Sequence, residues 1–516
     1  MRFLKNAIPE KQLFGIFILI AFGSLFPWLG ATPLFDEDEG YFSEVSREMA
    51  VSGNYLTAYL NGKPEYDKPV LTYWAQAASF KLFGFNEFAA RFPSALATFI
   101  WGIAMFIFVR RKIDINTAFC AALFMISAIQ MTITGKAAIA DALLNLFITL
   151  AMFSVFNYFE SGKTSSLCLA ALFTGVGFLT KGPVAVMIPV VVGLLYAIIT
   201  KKTALWVRAA VSPAAWAIFL AVALPWYVLE YLDQGNAFLE DFFIKHNLQR
   251  FQSAMEGHYG SFFYYAPVIL IGTLPHVWVL FPCLRNIRRF VKQPLLLYCA
   301  LWFGFIFIFF SLAATKLPHY IIYGYTPVFI FYAVTYLSLK NYRKYIAIGL
   351  GVLIIFTILP LCINLIKPLI GDAFALIVIE SAGTYFDSYY FLQCGICIII
   401  LSGVFWLSET DRLKIALITA CVYLFFINSV LMPRLGGLMQ SPVKEAAFLA
   451  RQKNYDIVIY RHTLPSFIFY RQEFVREGEP EPNDIIITKK TRLKTIKGYE
   501  ILYEKNGLIM ARVSEP

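Results

Sequence analysis

Four consecutive acids, Asp36, Glu37, Asp38 and Glu39, stand directly after a long apolar run near the start of the chain. Clustered carboxylates raise one another's pKa and attract hard cations, so the run offers a general base or a set of divalent-cation ligands. A solvated acidic turn with no role explains the same residues equally well. Asp141 opens another apolar run. An acid there interacts favourably with a helix N-terminus, yet a carboxylate at the border of hydrocarbon is costly and marks a site by default. Four cations share this pattern at the ends of apolar runs: Lys68 in Tyr66-Asp67-Lys68-Pro69, Lys181 in Thr180-Lys181-Gly182-Pro183, Arg250, and Lys316 in Lys316-Leu317-Pro318-His319-Tyr320. Together they describe a basic pocket for an anionic group, with phosphate the best match. His246 and Arg250 are four residues apart and share a helix face, but no third ligand nearby in sequence makes them a metal pair.

Those residues need a frame, and composition supplies it. Of 516 residues, 59% are hydrophobic and 15% charged, which no water-soluble globular domain requires. Thirteen apolar runs, the first over 12–30 and the last over 413–432, are each long enough to cross a hydrocarbon core of about 30 Å as a helix. The expected fold is therefore an all-α polytopic membrane protein. The net charge of +11 does not indicate nucleic acid, because the basic residues sit mostly in short connections on one side. Their bias places the N-terminus inside, and an odd number of spans places the C-terminus outside. Two long loops, 31–91 and 230–261, then face outward. Within the first, Phe42–Met49 and Tyr73–Phe83 mix apolar and polar residues at helical spacing, as interfacial helices do.

After Pro433 the composition becomes that of a water-soluble unit, which divides the chain into a membrane domain, 1–433, and an outer α/β domain, 434–516. A helix is expected over 442–451 and β-type runs at 457–460, 467–470, 485–488, 501–503 and 508–513. The eight cysteines lie within or beside apolar runs, where packing explains them, including the Cys394-x-x-Cys397 pair; no disulfide is expected. No Walker loop, GxSxG elbow or dinucleotide fingerprint occurs. An enzyme on the outer face has no nucleotide-sugar pool to draw on, so an activated donor would arrive attached to lipid.

Several short motifs then become familiar. Asp38-Glu39-Gly40-Tyr41, Leu60-Asn61-Gly62, Asp67-Lys68-Pro69, Tyr73-Trp74, Ala89-Ala90-Arg91-Phe92-Pro93, the Asp141 segment, Thr180-Lys181-Gly182-Pro183 and Lys316-Leu317-Pro318-His319-Tyr320 follow one another in order. This pattern resembles the GT-C glycosyltransferases, in particular the lipid A aminoarabinose transferases and the protein O-mannosyltransferase-like enzymes. It covers most of the first 340 residues. Thirteen spans with a small C-terminal α/β periplasmic domain also agree with the aminoarabinose transferases.

The resemblance implies transfer of a sugar from a polyprenyl (undecaprenyl) phosphate carrier to an acceptor at the periplasmic face of a bacterial inner membrane. Lipid A is the favoured acceptor, another surface glycan or a protein the alternative. It implies Asp38 as catalytic carboxylate with Glu39 beside it, and Asp141 as the second acid. Lys68, Lys181, Arg250 and Tyr320 become donor-phosphate ligands, with His246, Lys316 and Asp67 lining the same pocket. A divalent metal cation between Asp38 and Asp141 is left open, since inverting transfer can proceed without one. The acidic run is longer than the family's, which keeps Asp36 and Glu37 as alternatives to Asp38. A transporter or lipid flippase is the reading from another class; it requires broken helices and repeated halves, and no internal repeat is present.

Overall fold

A computed structural model describes residues 9–249, 259–407 and 411–514. Among these, nine helices are long and apolar enough to cross a membrane, or ten if the pair Phe262–Gly272 and His276–Phe290, bent by 118°, is one span. Shorter apolar helices include Ile115–Ser127, Val184–Ile199 and Ala373–Thr384. Several expected spans are interrupted rather than continuous. The run 116–133 breaks at Ala128, whose ψ of 137° separates Ile115–Ser127 from Ile129–Thr134. The run 319–338 begins as a 3-10 helix, Pro318–Gly324, before the α-helix Tyr325–Ser338. Apolarity does not distinguish a straight span from an interrupted one, because both bury the same side chains.

Local sequence explains where helices begin and end. Asn86, Asp114, Ser212 and Asp387 each cap a helix by accepting a backbone N–H three residues on. Gly53 and Gly162 close helices Asp38–Ser52 and Asp141–Ser161 in the left-handed conformation, at φ of 75° and 68°. In the middle of the bundle, helix Ile115–Ser127 presents Ala118, Cys120, Ala121 and Ala122, all fully buried. Small side chains let helices approach closely where lipid supplies no hydrophobic drive. Larger residues fill the remaining space, as in Phe108 stacked on Phe153 at 3.7 Å. Buried polar atoms find partners: Trp101 Nε1 donates to Thr326 Oγ1 at 2.9 Å.

The first long loop is built around helices Asp38–Ser52 and Leu71–Phe83. The second keeps an amphipathic character, with Tyr73, Ala77 and Phe80 buried and Leu82 76% exposed. The first does not lie along an interface as expected. Its residues Phe42 through Met49 are all buried, because helix Leu71–Phe83 packs on one side and the C-terminal unit on another. Between the two helices a tight hairpin pairs Tyr59–Leu60 with Lys63–Pro64. Asn61 and Gly62 form its turn at φ of 53° and 76°, the conformation that Asn-Gly turns supply.

The C-terminal unit starts with helix Ser441–Lys453 and carries a five-stranded sheet. Its strand order is Arg476–Glu477, Ile457–Ile459, Ile485–Lys489, Leu508–Val513, Tyr499–Lys505. The first three strands are parallel and the last two pairings antiparallel. One expected strand is wrong: Phe467–Tyr470 belongs to helix Pro465–Arg471, every residue of which is buried. A short apolar run fits a buried strand and a buried helix equally, and Pro465 at the first turn favours the helix. All eight cysteines are unbridged, and Cys394 and Cys397 are buried.

Candidate active site

Two clusters of charge meet at one end of the helix bundle. The first is centred on Asp141, the opening residue of its helix, which is buried. Lys181 Nζ, from the last turn of helix Thr164–Lys181, reaches Asp141 Oδ1 at 2.9 Å. Tyr323 Oη donates to the same oxygen at 2.6 Å, and His319 Nε2 lies 4.0 Å from Oδ2. The Lys181 ammonium also stands over the rings of Tyr320 and Tyr323, at 5.4 and 5.7 Å from their centroids. A cation held between a carboxylate and two aromatic faces is fixed in place, which suits it to receive a second anion. The glycine after it, Gly182, has φ of 71°, and an added Cβ would press on the ring of Phe242 at 2.8 Å.

The second cluster is the acidic run. Its members point to different places: Asp36 and Glu37 sit in the turn before helix Asp38–Ser52, and Asp38 and Glu39 diverge by about 100° on its first turn. Asp38 is exposed, whereas Glu39 is buried and fully engaged. Arg91 Nε and Nη2 donate to Glu39 Oε1 and Oε2 at 2.8 and 2.6 Å. The backbone N–H groups of Ala138 and Phe35 donate to the same two oxygens at 2.8 and 2.9 Å. Burial raises the Glu39 carboxyl, but the Arg91 guanidinium and these bonds outweigh it and hold the group below the ordinary carboxylate value. Arg91 also donates to the Leu29, Thr32 and Pro33 carbonyls. Glu39 therefore ties the start of the loop to the bundle and has no free oxygen for proton transfer. Its contribution is complete above the ordinary Glu value and is lost as pH falls through the lowered folded value. Glu39→Gln should cost about 3–5 kcal/mol, because it strands a buried guanidinium, and thermal unfolding in detergent reads the loss. Unchanged melting would show that the pair carries no net stability.

Asp36 faces the C-terminal unit and accepts from Ser466 N at 2.9 Å and Ser466 Oγ at 2.5 Å. Burial pushes its carboxyl up to about 7, with the Ser466 bonds opposing and Glu37 and Glu39 adding to the rise. A cavity of about 410 Å³ opens beside the run and is lined by Asp36, Glu37, Asp38, Lys136 and His319 among others. Lys136 donates to Asn428 Oδ1 on its wall, and burial, with Arg91 nearby, pushes its ammonium down to about 7. The two clusters join at His319, which lines this cavity beside Asp38 and stands 4.0 Å from Asp141.

The other expected site residues divide clearly. Lys68 Nζ pairs with Asp67 Oδ2 at 2.5 Å, so these neighbours form one unit in the loop. Tyr320 is buried against Phe310 and Lys181, inside the Asp141 cluster. The Lys316 ammonium is tied to a helix end, donating to the Ser311 and Ala313 carbonyls at 2.8 and 2.6 Å. Those carbonyls end helix Pro294–Leu312, which a cation suits. Arg250 and the His246 side chain lie outside the described residues. Among the described residues no three His, Cys, Asp or Glu side chains converge as a metal site would require. His319, Tyr323 and Arg91 had no role assigned from sequence. An aromatic inside an apolar run reads as core, and His319 is marked only by its place in the Lys316–Tyr320 motif.

The arrangement is that of a polytopic membrane protein with a charged cleft at one end of its bundle and a small α/β unit docked beside it. Residues 67–228 match the family described as dolichyl-phosphate-mannose-protein mannosyltransferase. The chain is 32% identical over 331 residues to the undecaprenyl phosphate-alpha-4-amino-4-deoxy-L-arabinose arabinosyl transferase of Shewanella sediminis, covering 62% of this chain and 59% of that one. The protein of the same name from Aeromonas salmonicida is 31% identical over 355 residues, covering 67% and 62%. The chain thus spans less than two thirds of the length of these curated relatives. Its fold is similar to the crystal structure of ArnT from Cupriavidus metallidurans bound to undecaprenyl phosphate, with a TM-score of 0.81 at 19% identity, over 98% of this chain and 100% of that one. Over these stretches the chain is thus similar in sequence to the aminoarabinose transferases and to the protein mannosyltransferase family, and it shares the fold of ArnT.

Proposed function

We propose that this protein is a glycosyltransferase that moves a sugar from a polyprenyl phosphate carrier to an acceptor at the outer face of a bacterial inner membrane, with lipid A as the acceptor. The observation that carries this reading is Lys181, fixed by Asp141 at 2.9 Å and by two tyrosine rings, with His319, 4.0 Å from Asp141, lining the same cavity as the exposed carboxylate of Asp38. The names of the relatives, which specify an undecaprenyl phosphate-linked aminoarabinose, support the donor class. In this account the acceptor oxygen attacks the anomeric carbon, the bond from that carbon to the carrier phosphate breaks, and Asp38 takes the acceptor's proton. Lys181, Lys68 and Tyr320, with Arg250, meet the charge left on the departing phosphate. The membrane domain over 1–433 performs this chemistry with its N-terminus cytoplasmic, and the domain over 434–516 lies outside.

The donor half of the proposal can be tested without turnover. Undecaprenyl phosphate should raise the melting temperature of the purified protein in a concentration-dependent way. Lys181→Ala should weaken that response by about 10- to 100-fold, the value of one charge-assisted hydrogen bond. Equal responses in both proteins would remove Lys181 from the donor site. A transporter requires paired broken helices in repeated halves. Among the described residues one helix pair long and apolar enough to span is sharply bent, by 118° at Pro275, and the sequence carries no internal repeat.

A further inference from the structure

The C-terminal unit reaches the acidic run through contacts that no role yet explains. Besides the two bonds from Ser466 to Asp36, Tyr470 Oη accepts from Leu34 N at 2.7 Å and donates to Glu87 Oε1 at 3.0 Å. Lys444 pairs with the same glutamate. On the far side of the loop, Asn61 and Val475 exchange two bonds of 2.7 and 2.9 Å. The contact at Ser466 is also close in space. A Cβ on Gly40 would fall on the Ser466 backbone and on Asp36 Oδ1, so only glycine allows helix Asp38–Ser52 to approach. Asp36 lies two residues before Asp38, and both line the same cavity.

We propose that Ser466 is a positioning residue: by holding both oxygens of Asp36, the C-terminal unit fixes the turn from which Asp38 enters the cavity. The inference rests on the glycosyltransferase reading for its catalytic consequence, though not for the latch itself. Ser466 is fully buried and is not among the residues lining the cavity; it acts through Asp36 on the direction in which the neighbouring acid points. A misplacement of about 1 Å at a reacting group costs on the order of 100-fold in rate. Losing the latch should therefore appear in kcat and spare donor binding, which depends on the separate Asp141 cluster.

The test uses the full chain in lipid nanodiscs. Ser466→Ala should raise hydrogen exchange of the amides at Phe35 to Tyr41 while leaving those of the strand Ile485–Lys489 protected. With a polyprenyl phosphate-linked sugar as donor it should lower kcat about 10- to 100-fold at unchanged donor KM. Asp36→Ala, which lies outside the C-terminal unit, should give the same readings, and the double variant should be no worse than Asp36→Ala alone. It stands in for Ser466→Ala if that variant loses protection of the strand. Unchanged exchange over Phe35 to Tyr41 in both variants overturns the latch. So does a fall in kcat that is fully additive, or one shared equally with donor KM. Altered exchange in a protein whose wild type transfers no sugar would retain the latch and sink the glycosyltransferase reading instead.

Discussion

If Asp38 is the general base, Asp38→Asn should lower kcat by about 100- to 10,000-fold, the usual worth of a positioned base, and leave folding and donor binding intact. The structural basis is the contrast between neighbours. Asp38 is exposed on the cavity wall, whereas Glu39 has both oxygens saturated and Asp36 is held by Ser466. Asparagine keeps the shape and loses the proton acceptor. An exposed side chain contributes little to stability, so the melting temperature should move by no more than about 0.5 kcal/mol would shift it. The corresponding change at Glu39 behaves in the opposite way, costing stability. Near-normal turnover by Asp38→Asn would transfer the role to Asp36 or Glu37.

The second large effect belongs to Asp141. Its Oδ1 accepts from both Lys181 and Tyr323, and all three side chains are largely withdrawn from solvent. Asp141→Ala leaves a buried ammonium and a buried phenol without their acceptor, for an expected loss of about 3–5 kcal/mol. It also frees Lys181 from the position in which it would meet a phosphate, so donor affinity should fall with stability. Thermal unfolding with and without undecaprenyl phosphate measures both terms. A variant that melts like wild type and still responds to the lipid would show that Lys181 is positioned by the tyrosine rings alone. Asp141→Ala and Lys181→Ala share one interaction, and their stability costs should not add.

Much of this arrangement was legible in the chain. Apolar runs of membrane-spanning length announced the bundle, and the change of composition after Pro433 pointed to the C-terminal sheet, although the helical span Arg412–Met439 runs past that boundary and helix Ser441–Lys453 follows it. Isolated charges at the ends of those runs, Asp141 and Lys181 in particular, were informative because hydrocarbon makes such residues expensive. What the sequence could not separate were the four neighbouring acids, since the turn at Asp36 and Glu37 and the helix that starts at Asp38 send adjacent side chains in different directions and only packing decides which faces inward. Arg91 chooses Glu39 from 52 residues away, and Ser466 chooses Asp36 from 430 residues away. Lys316 resembled a pocket cation by composition alone. It closes a helix end, a use that depends on where the chain turns at Ala313, whose ψ is 142°. Phe467–Tyr470 read as a strand for a similar reason: the aromatic run must be buried, and burial does not specify the backbone.

The central claim is tested most directly by the mass spectrum of lipid A from cells lacking the gene, complemented with wild type or with Asp38→Asn. The account predicts a sugar-sized mass that is present with wild type and absent both from the deletion strain and from the Asp38→Asn strain. A sugar-bearing species that survives deletion, or returns with Asp38→Asn, would contradict it.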